Sequence, residues 1–263
     1  MEDYKRLLFE QLVAKFDKIY ILTMSNRPDR RELIYKQFEK LGLPLPDDTN
    51  FIRYYYGTPF PYNNILAKAM NDSKRGKFSK PNEFDCSRNH YAMIRICYDL
   101  GFEHCLVLED DVLLLNDAKT LYEYFLEIPA NYDILQFGGF TSDEAINKFI
   151  SKHEEKWVKH KPVGVWNTSG YALSRRGMEF YLTFMDKIAF WVADGPLYKA
   201  PLSDKIINTY LSDIPLVIQA DKNVIASDIR TKNNDTIDYN NDNQYEKEID
   251  LNNYFKIEEL QEK

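Results

Sequence analysis

Three consecutive carboxylates, Glu109-Asp110-Asp111, follow directly on the apolar run Cys105-Leu106-Val107-Leu108. Adjacent like charges repel one another unless a cation sits among them. Hard cations such as Mg²⁺ or Mn²⁺ take one or two carboxylates together with phosphate oxygens and water, so a nucleoside diphosphate chelated to a metal would satisfy this turn. A second reading stays open, in which the acids cap a helix entering at Asn116. Upstream, residues 25–31 carry Arg27, Arg30 and Arg31 behind another apolar run, Ile19-Tyr20-Ile21-Leu22. Their planar guanidinium groups suit a diphosphate or a nucleobase carbonyl, or else a solvated helix face. Trp166-Asn167-Thr168-Ser169-Gly170-Tyr171 joins an aromatic platform to small polar residues and a glycine. That mixture fits a sugar ring, with Ser169 and Gly170 against the donor, or a plain strand with a bulge at Gly170. Gly138, in Gln136-Phe137-Gly138-Gly139, follows a further apolar run and is a candidate for the same pocket.

These residues need a scaffold that gathers strand ends. Leu7, Leu8, Leu12, Val13 and Phe16 recur at helical spacing, and a strand over 19–24 follows. The loop at 25–31 ends in helix-entry signals; Leu33, Ile34, Phe38 and Leu41 mark a helix stopped by Gly42. A strand is expected over 51–56, and a helix over 84–100 carrying Met93, Ile94, Ile96, Cys97 and Leu100, with Gly101 as its stop. A short buried strand at 104–108 ends in the acids. Further strands are expected at 133–137, 163–173 and 215–220, and a helix at 174–186 with Ser174 as its N-cap. The alternation predicts an α/β fold with a mainly parallel central sheet flanked by helices, and such sheets bind ligands at the carboxyl ends of their strands. Residues 1–230 form the expected catalytic domain. The Asn/Asp-rich stretch 231–263 reads as an appendage, partly flexible or helical.

Composition narrows the functional classes. In 263 residues, 34 basic against 41 acidic side chains give a net charge of −7 and a pI near 5.3, which argues against a nucleic-acid binder that must neutralise phosphates. Cys86, Cys97 and Cys105 form no CxxC pair, so buried free thiols are expected rather than a zinc knuckle or a disulfide framework. No apolar run approaches the roughly 18 residues of a membrane span. The acidic start Met1-Glu2-Asp3 is unlike a secretory signal, and the expected address is cytoplasmic. The basic stretch Lys74-Arg75-Gly76-Lys77 with Lys80 would allow peripheral contact with the inner face of a membrane, or is a solvated loop.

Taken in chain order, the strand followed by Arg-Pro-Asp-Arg-Arg, then Glu83-Phe84-Asp85-Cys86-Ser87-Arg88-Asn89-His90, then Leu106-Val107-Leu108-Glu109-Asp110-Asp111-Val112 resembles glycosyltransferase family 25. The likeness continues at residues 168–174, 192–194 and 227–229. It implies a GT-A type nucleotide-sugar-binding fold and inverting transfer of a hexose, usually galactose from UDP-galactose, to a hydroxyl of an oligosaccharide or lipid-linked glycan acceptor such as lipooligosaccharide. It further implies Mn²⁺ or Mg²⁺ on Glu109 and Asp111, with Glu109 and Asp110 touching the donor. Arg27 and Arg30 match the donor-side loop, and His90 matches the histidine of a Cys-x-x-Ser-His segment in which Asn89 here replaces serine. His90 is either a donor ligand or a hydrogen-bonded structural histidine. Transfer to a hydroxyl also needs a base, for which Asp194 in Trp191-Val192-Ala193-Asp194-Gly195 is the candidate, or else it caps the helix entered at Pro196. A nucleotide-sugar or glycan-binding module without turnover is the alternative function.

Overall fold

Apolar runs too short to be helices, separated by amphipathic helical stretches, bury their faces by pairing into one sheet that the helices cover. The computed structural model describes residues 2–57, 81–138, 155–159, 168–187, 193–200 and 206–220, and the elements below are those of the described residues. In chain order they are α1 (Glu2–Lys15), β1 (Lys18–Met24), α2 (Pro28–Leu41), β2 (Ile52–Gly57), α3 (Pro81–Asp99), β3 (His104–Glu109), β4 (Val112–Leu114), α4 (Ala118–Leu126), β5 (Ile134–Gln136), β6 (Trp157–Lys159), β7 (Gly170–Ser174), α5 (Arg175–Lys187), α6 (Gly195–Lys199), β8 (Thr209–Ser212) and β9 (Val217–Gln219). The chain divides after Ala226 into two compact units, and every described residue belongs to the first. No helix of the described residues is long and apolar enough to cross a membrane.

Seven strands form the central sheet in the order β2-β1-β3-β7-β5-β8-β6. β2, β1, β3, β5 and β8 point one way, while β7 and β6 run against them, so the sheet is mainly parallel with two reversed strands. The expected strand at 215–220 lies elsewhere: β9 pairs antiparallel with β4 in a separate two-stranded sheet.

Side chains alternate between the faces of a strand. Ile19 and Ile21 of β1, and Leu106 and Leu108 of β3, therefore enter one apolar cluster with Leu8 and Leu12 of α1, Ile34 and Phe38 of α2, and Leu121 and Phe125 of α4. Cys105 and Val107 face the other side, where α3 and α5 pack together and the Cys97 thiol meets that of Cys105. Two caps expected at helix ends are present. Gly42 closes α2 in the left-handed region at φ 69°, and the Gly177 amide donates to Ser174 Oγ at 3.1 Å. The helix predicted over 84–100 buries Met93, Ile94 and Cys97 but leaves Ile96 and Leu100 exposed, so its buried face is narrower than its apolar residues suggested.

β1 lies between β2 and β3. The crossover through α2 leads to β2 on one flank, and the next, through α3, returns to β3 on the other. The strand order reverses there, so the carboxyl ends of β1 and β3 open a crevice.

Candidate active site

Glu109 closes β3 at that crevice, and the period-two alternation sends it and Asp110 to opposite sides of the sheet. Asp110 turns toward the α2 side. Its Oδ1 accepts from Arg30 Nη1 at 2.8 Å and its Oδ2 from Thr23 Oγ1 at 2.6 Å. Arg30 stands in the first turn of α2, where Pro28 sets the entry, and is itself buried, with Asp111 Oδ2 3.3 Å away. Asp111 Oδ2 accepts a hydrogen bond from Gln219 Nε2 at 3.2 Å, and its carbonyl accepts from the Ala220 amide at 2.7 Å, which ties the turn to the end of β9. Its remaining oxygen, Oδ1, is buried without a hydrogen-bond partner. Burial and the neighbouring Glu109 charge push the Asp111 carboxyl up to about 6, against the opposing pull of Arg30. Burial likewise raises Asp110, although Arg30 and Thr23 favour its ionised form. The helix-capping reading fails here, because the N-cap of α4 is Asp117, whose carboxylate accepts from the Thr120 amide at 2.8 Å.

Glu109 turns to the α3 side. Its Oε1 lies 3.1 Å from His90 Nε2 and also accepts from the Thr168 hydroxyl. Burial opposes its ionisation, but the hydrogen bonds from His90 and Thr168 and the Arg30 charge outweigh that and hold its carboxyl below the usual range. His90 is fully buried, and its Nδ1 lies 2.8 Å from the Tyr171 hydroxyl, which burial keeps protonated. Cys86, one helical turn before His90, completes a group whose Sγ, imidazole nitrogen and carboxylate oxygen lie within 4.8 Å of one another. Among the described residues, no comparable cluster brings Glu109, Asp110 and Asp111 together. The consecutive acids are divided between two sides of the sheet rather than gathered on one ion.

Other expected residues fall as follows. Arg27, at the N-cap of α2, pairs with Asp29 through Nε at 3.0 Å and Nη2 at 2.8 Å. Arg31 holds the Met24 carbonyl at 2.7 Å, so it braces the end of β1. Ser169 is buried and its carbonyl accepts from the Glu109 amide at 3.1 Å, which places its backbone beside the acids. Gly170 pairs in register with Leu108, and a Cβ there would meet Leu108 and Val217 side-chain carbons at 3.2 Å. Gly138 lies against β9, where a Cβ would stand 2.2 Å from the Val217 carbonyl oxygen; close backbone approach accounts for this glycine. Asp194 is half-buried at the N-cap of α6, and its carboxylate makes no cap hydrogen bond to that helix. Trp166, Asn167, Gly139, Trp191, the basic stretch 74–80 and the tail 231–263 lie outside the described residues. Thr23 and Gln219, which hold Asp110 and Asp111, are ordinary strand residues with no local signature in the sequence. Tyr171 reads from sequence as part of a sugar platform, whereas its hydroxyl meets His90.

Residues 16–195 match the family described as glycosyltransferase family 25 (LPS biosynthesis protein). A glycosyltransferase 25 family member of Drosophila pseudoobscura pseudoobscura is 26% identical over 199 residues, covering 64% of this chain and 27% of that protein. Its counterpart in Aedes aegypti is 25% identical over 182 residues, covering 60% of this chain and 26% of the relative. The chain thus aligns with about a quarter of the length of the curated relatives it matches. A crystal structure of a glycosyltransferase involved in glycosylation of the major capsid of PBCV-1 is similar at TM-score 0.32 and 11% identity, covering 65% of this chain and 68% of that one.

Proposed function

The chain belongs to glycosyltransferase family 25, and from that premise we propose that it transfers a hexose, first of all galactose from UDP-galactose, to a hydroxyl of a surface glycan such as a lipooligosaccharide core, with inversion and with a divalent cation. The observation that carries this reading is the buried Arg30, Asp110 and Asp111 set at the carboxyl ends of β1 and β3, with Asp111 Oδ1 left without a hydrogen-bond partner. A mainly parallel sheet with an acidic turn at its switch point agrees with a GT-A type fold.

The residues fit a hard cation. Asp111 would hold Mn²⁺ or Mg²⁺ through Oδ1, with diphosphate oxygens and water as further ligands. When bound, the ion supplies positive charge against the negative charge that grows on the leaving nucleotide. Arg30 holds Asp110 by a hydrogen bond from Nη1 and lies against Asp111 through the same nitrogen, and Thr23 holds the second oxygen of Asp110. Glu109, held on the opposite side by His90 and Thr168, adds negative field near the ion. Asp194, half-buried at the start of α6, would take the proton of the acceptor hydroxyl, a role that typically contributes ~10²–10⁴-fold in rate. The donor is a sugar nucleotide, the acceptor an oligosaccharide or lipid-linked glycan, and the site of action the cytoplasmic side of a membrane.

The test mixes the full chain with UDP-galactose, Mn²⁺ and a lipooligosaccharide acceptor and measures UDP release, alongside the thermal shift given by UDP. Acceptor-dependent release, lost in Asp111→Asn, is expected. A cation-dependent UDP shift without turnover of any hexose would replace the enzyme by a binding module. No shift with UDP at all would remove the donor site.

A further inference from the structure

We propose that Cys86, His90 and Glu109 form a second metal site, separate from the hard-cation position at Asp111 and selective for a borderline divalent cation such as Zn²⁺. Cys86 and His90 stand four residues apart on α3 and so share one helix face; Glu109 reaches them from the end of β3. Their ligand atoms already lie within 4.8 Å of one another, and His90 Nε2 is 3.1 Å from Glu109 Oε1. A tetrahedral ion with bonds of about 2.0–2.3 Å has ligand-to-ligand edges of about 3.3–3.8 Å, so small side-chain rotations close the site. One thiolate, one imidazole and one carboxylate suit zinc far better than Mg²⁺ or Mn²⁺.

The surroundings are those of a built site. The Tyr171 hydroxyl, 2.8 Å from His90 Nδ1, both donates and accepts. It therefore orients the ring in the unmetallated state and accepts from Nδ1–H when Nε2 binds an ion, the role that oriented partners play around metal-bound histidines. Thr168 holds the carboxylate of Glu109 in the same way. No fourth His, Cys, Asp or Glu joins the three among the described residues, leaving a coordination position for water or a ligand. An ion here would clamp α3 to the end of β3, on the side of the sheet away from Asp110 and Arg30.

The experiment strips the full chain with a chelator, adds one equivalent of Zn²⁺, removes loose metal by gel filtration and measures zinc per chain; Co²⁺ loading then tests for a thiolate charge-transfer band in the near ultraviolet. We expect about one zinc per chain in the wild type and in Asp111→Asn, affinity about tenfold or more weaker in Cys86→Ser, and about tenfold weaker in Tyr171→Phe, which removes only the orienting hydroxyl. Circular dichroism confirms that each variant is folded. No retained zinc, or retention that depends on Asp111 and not on Cys86, overturns the site.

Discussion

Arg30 lies 2.8 Å from Asp110 and 3.3 Å from Asp111, and all three side chains are less than a tenth exposed. Removing one partner of such a buried pair leaves a charge without compensation, so Arg30→Ala should cost about 3–5 kcal/mol in urea unfolding. Arg30→Lys should recover only part of that, because an ammonium is more strongly hydrated than a guanidinium and costs more to bury beside the two carboxylates. A loss under about 1 kcal/mol in Arg30→Ala would mean that the aspartates find another cation or protonate together. Asp111→Asn should act in the opposite direction. Ionised Asp111 is disfavoured by burial and by Glu109, with its carboxyl at about 6, so the neutral amide should make the metal-free protein more stable at pH 7.5 by up to about 3 kcal/mol. The same change should abolish cation-dependent stabilisation by UDP. A gain in stability with loss of ligand response marks a group held for function against the fold's preference; equal stability and an intact response would assign Asp111 a different role.

Backbone approach decides which parts of the elements tolerate change. At Gly177 in the first turn of α5, a Cβ would stand 2.0 Å from the Asp133 carbonyl oxygen, and at Gly138 the corresponding contact with Val217 is 2.2 Å. Backbone must move in both cases, so Gly177→Ala and Gly138→Ala should each destabilise by about 1–3 kcal/mol or more by chemical denaturation. Gly101, at φ 78° with open space around it, should lose only about 1 kcal/mol as alanine, from the left-handed conformation alone. If all three behave alike, close backbone contact is not what fixes Gly138 and Gly177. None of these contacts has a local signal, and that limits what the chain discloses in advance. β1, α2, β3 and α5 were legible because each carries one clean period with its own stop or cap, Gly42 and Ser174 among them. The reversal of β7 was not, since a buried strand reads the same in either direction, and Ile96 and Leu100 look like core residues until the packing of α3 is known. The acids at 109–111 were legible as a site by their place after a buried strand. Their division between Arg30 and His90 was not, because those partners lie 80 and 19 residues away.

Across the whole molecule, the buried carboxylates couple stability to pH, and a cation should invert that coupling. Asp111 titrates at about 6 in the folded chain against 3.8 ordinarily, and Asp110 is raised as well. Between these values the folded state binds protons that the unfolded state has released. The contribution is therefore fully present below about pH 4 and is lost as pH rises through 6, by about 1.4 kcal/mol for each pH unit that separates the folded from the unfolded value. Glu109, lowered by His90 and Thr168, works the other way, and its contribution disappears as pH falls through its own depressed value. The metal-free protein should consequently be most stable near pH 4 and lose stability as pH rises from there to 6. A divalent ion on Asp111 requires the ionised carboxylate, so its stabilising effect should be full above pH 6 and weaken about tenfold per pH unit below it. Melting temperatures from pH 4.5 to 8, with and without Mn²⁺ and UDP, should show two curves that converge near pH 5 and separate above 6. In Asp111→Asn the metal-free curve should flatten over pH 4–6 and the ligand should move nothing. If the wild-type and Asp111→Asn curves have the same slope, the pH response belongs to other groups and Asp111 is not the carboxylate that receives the ion.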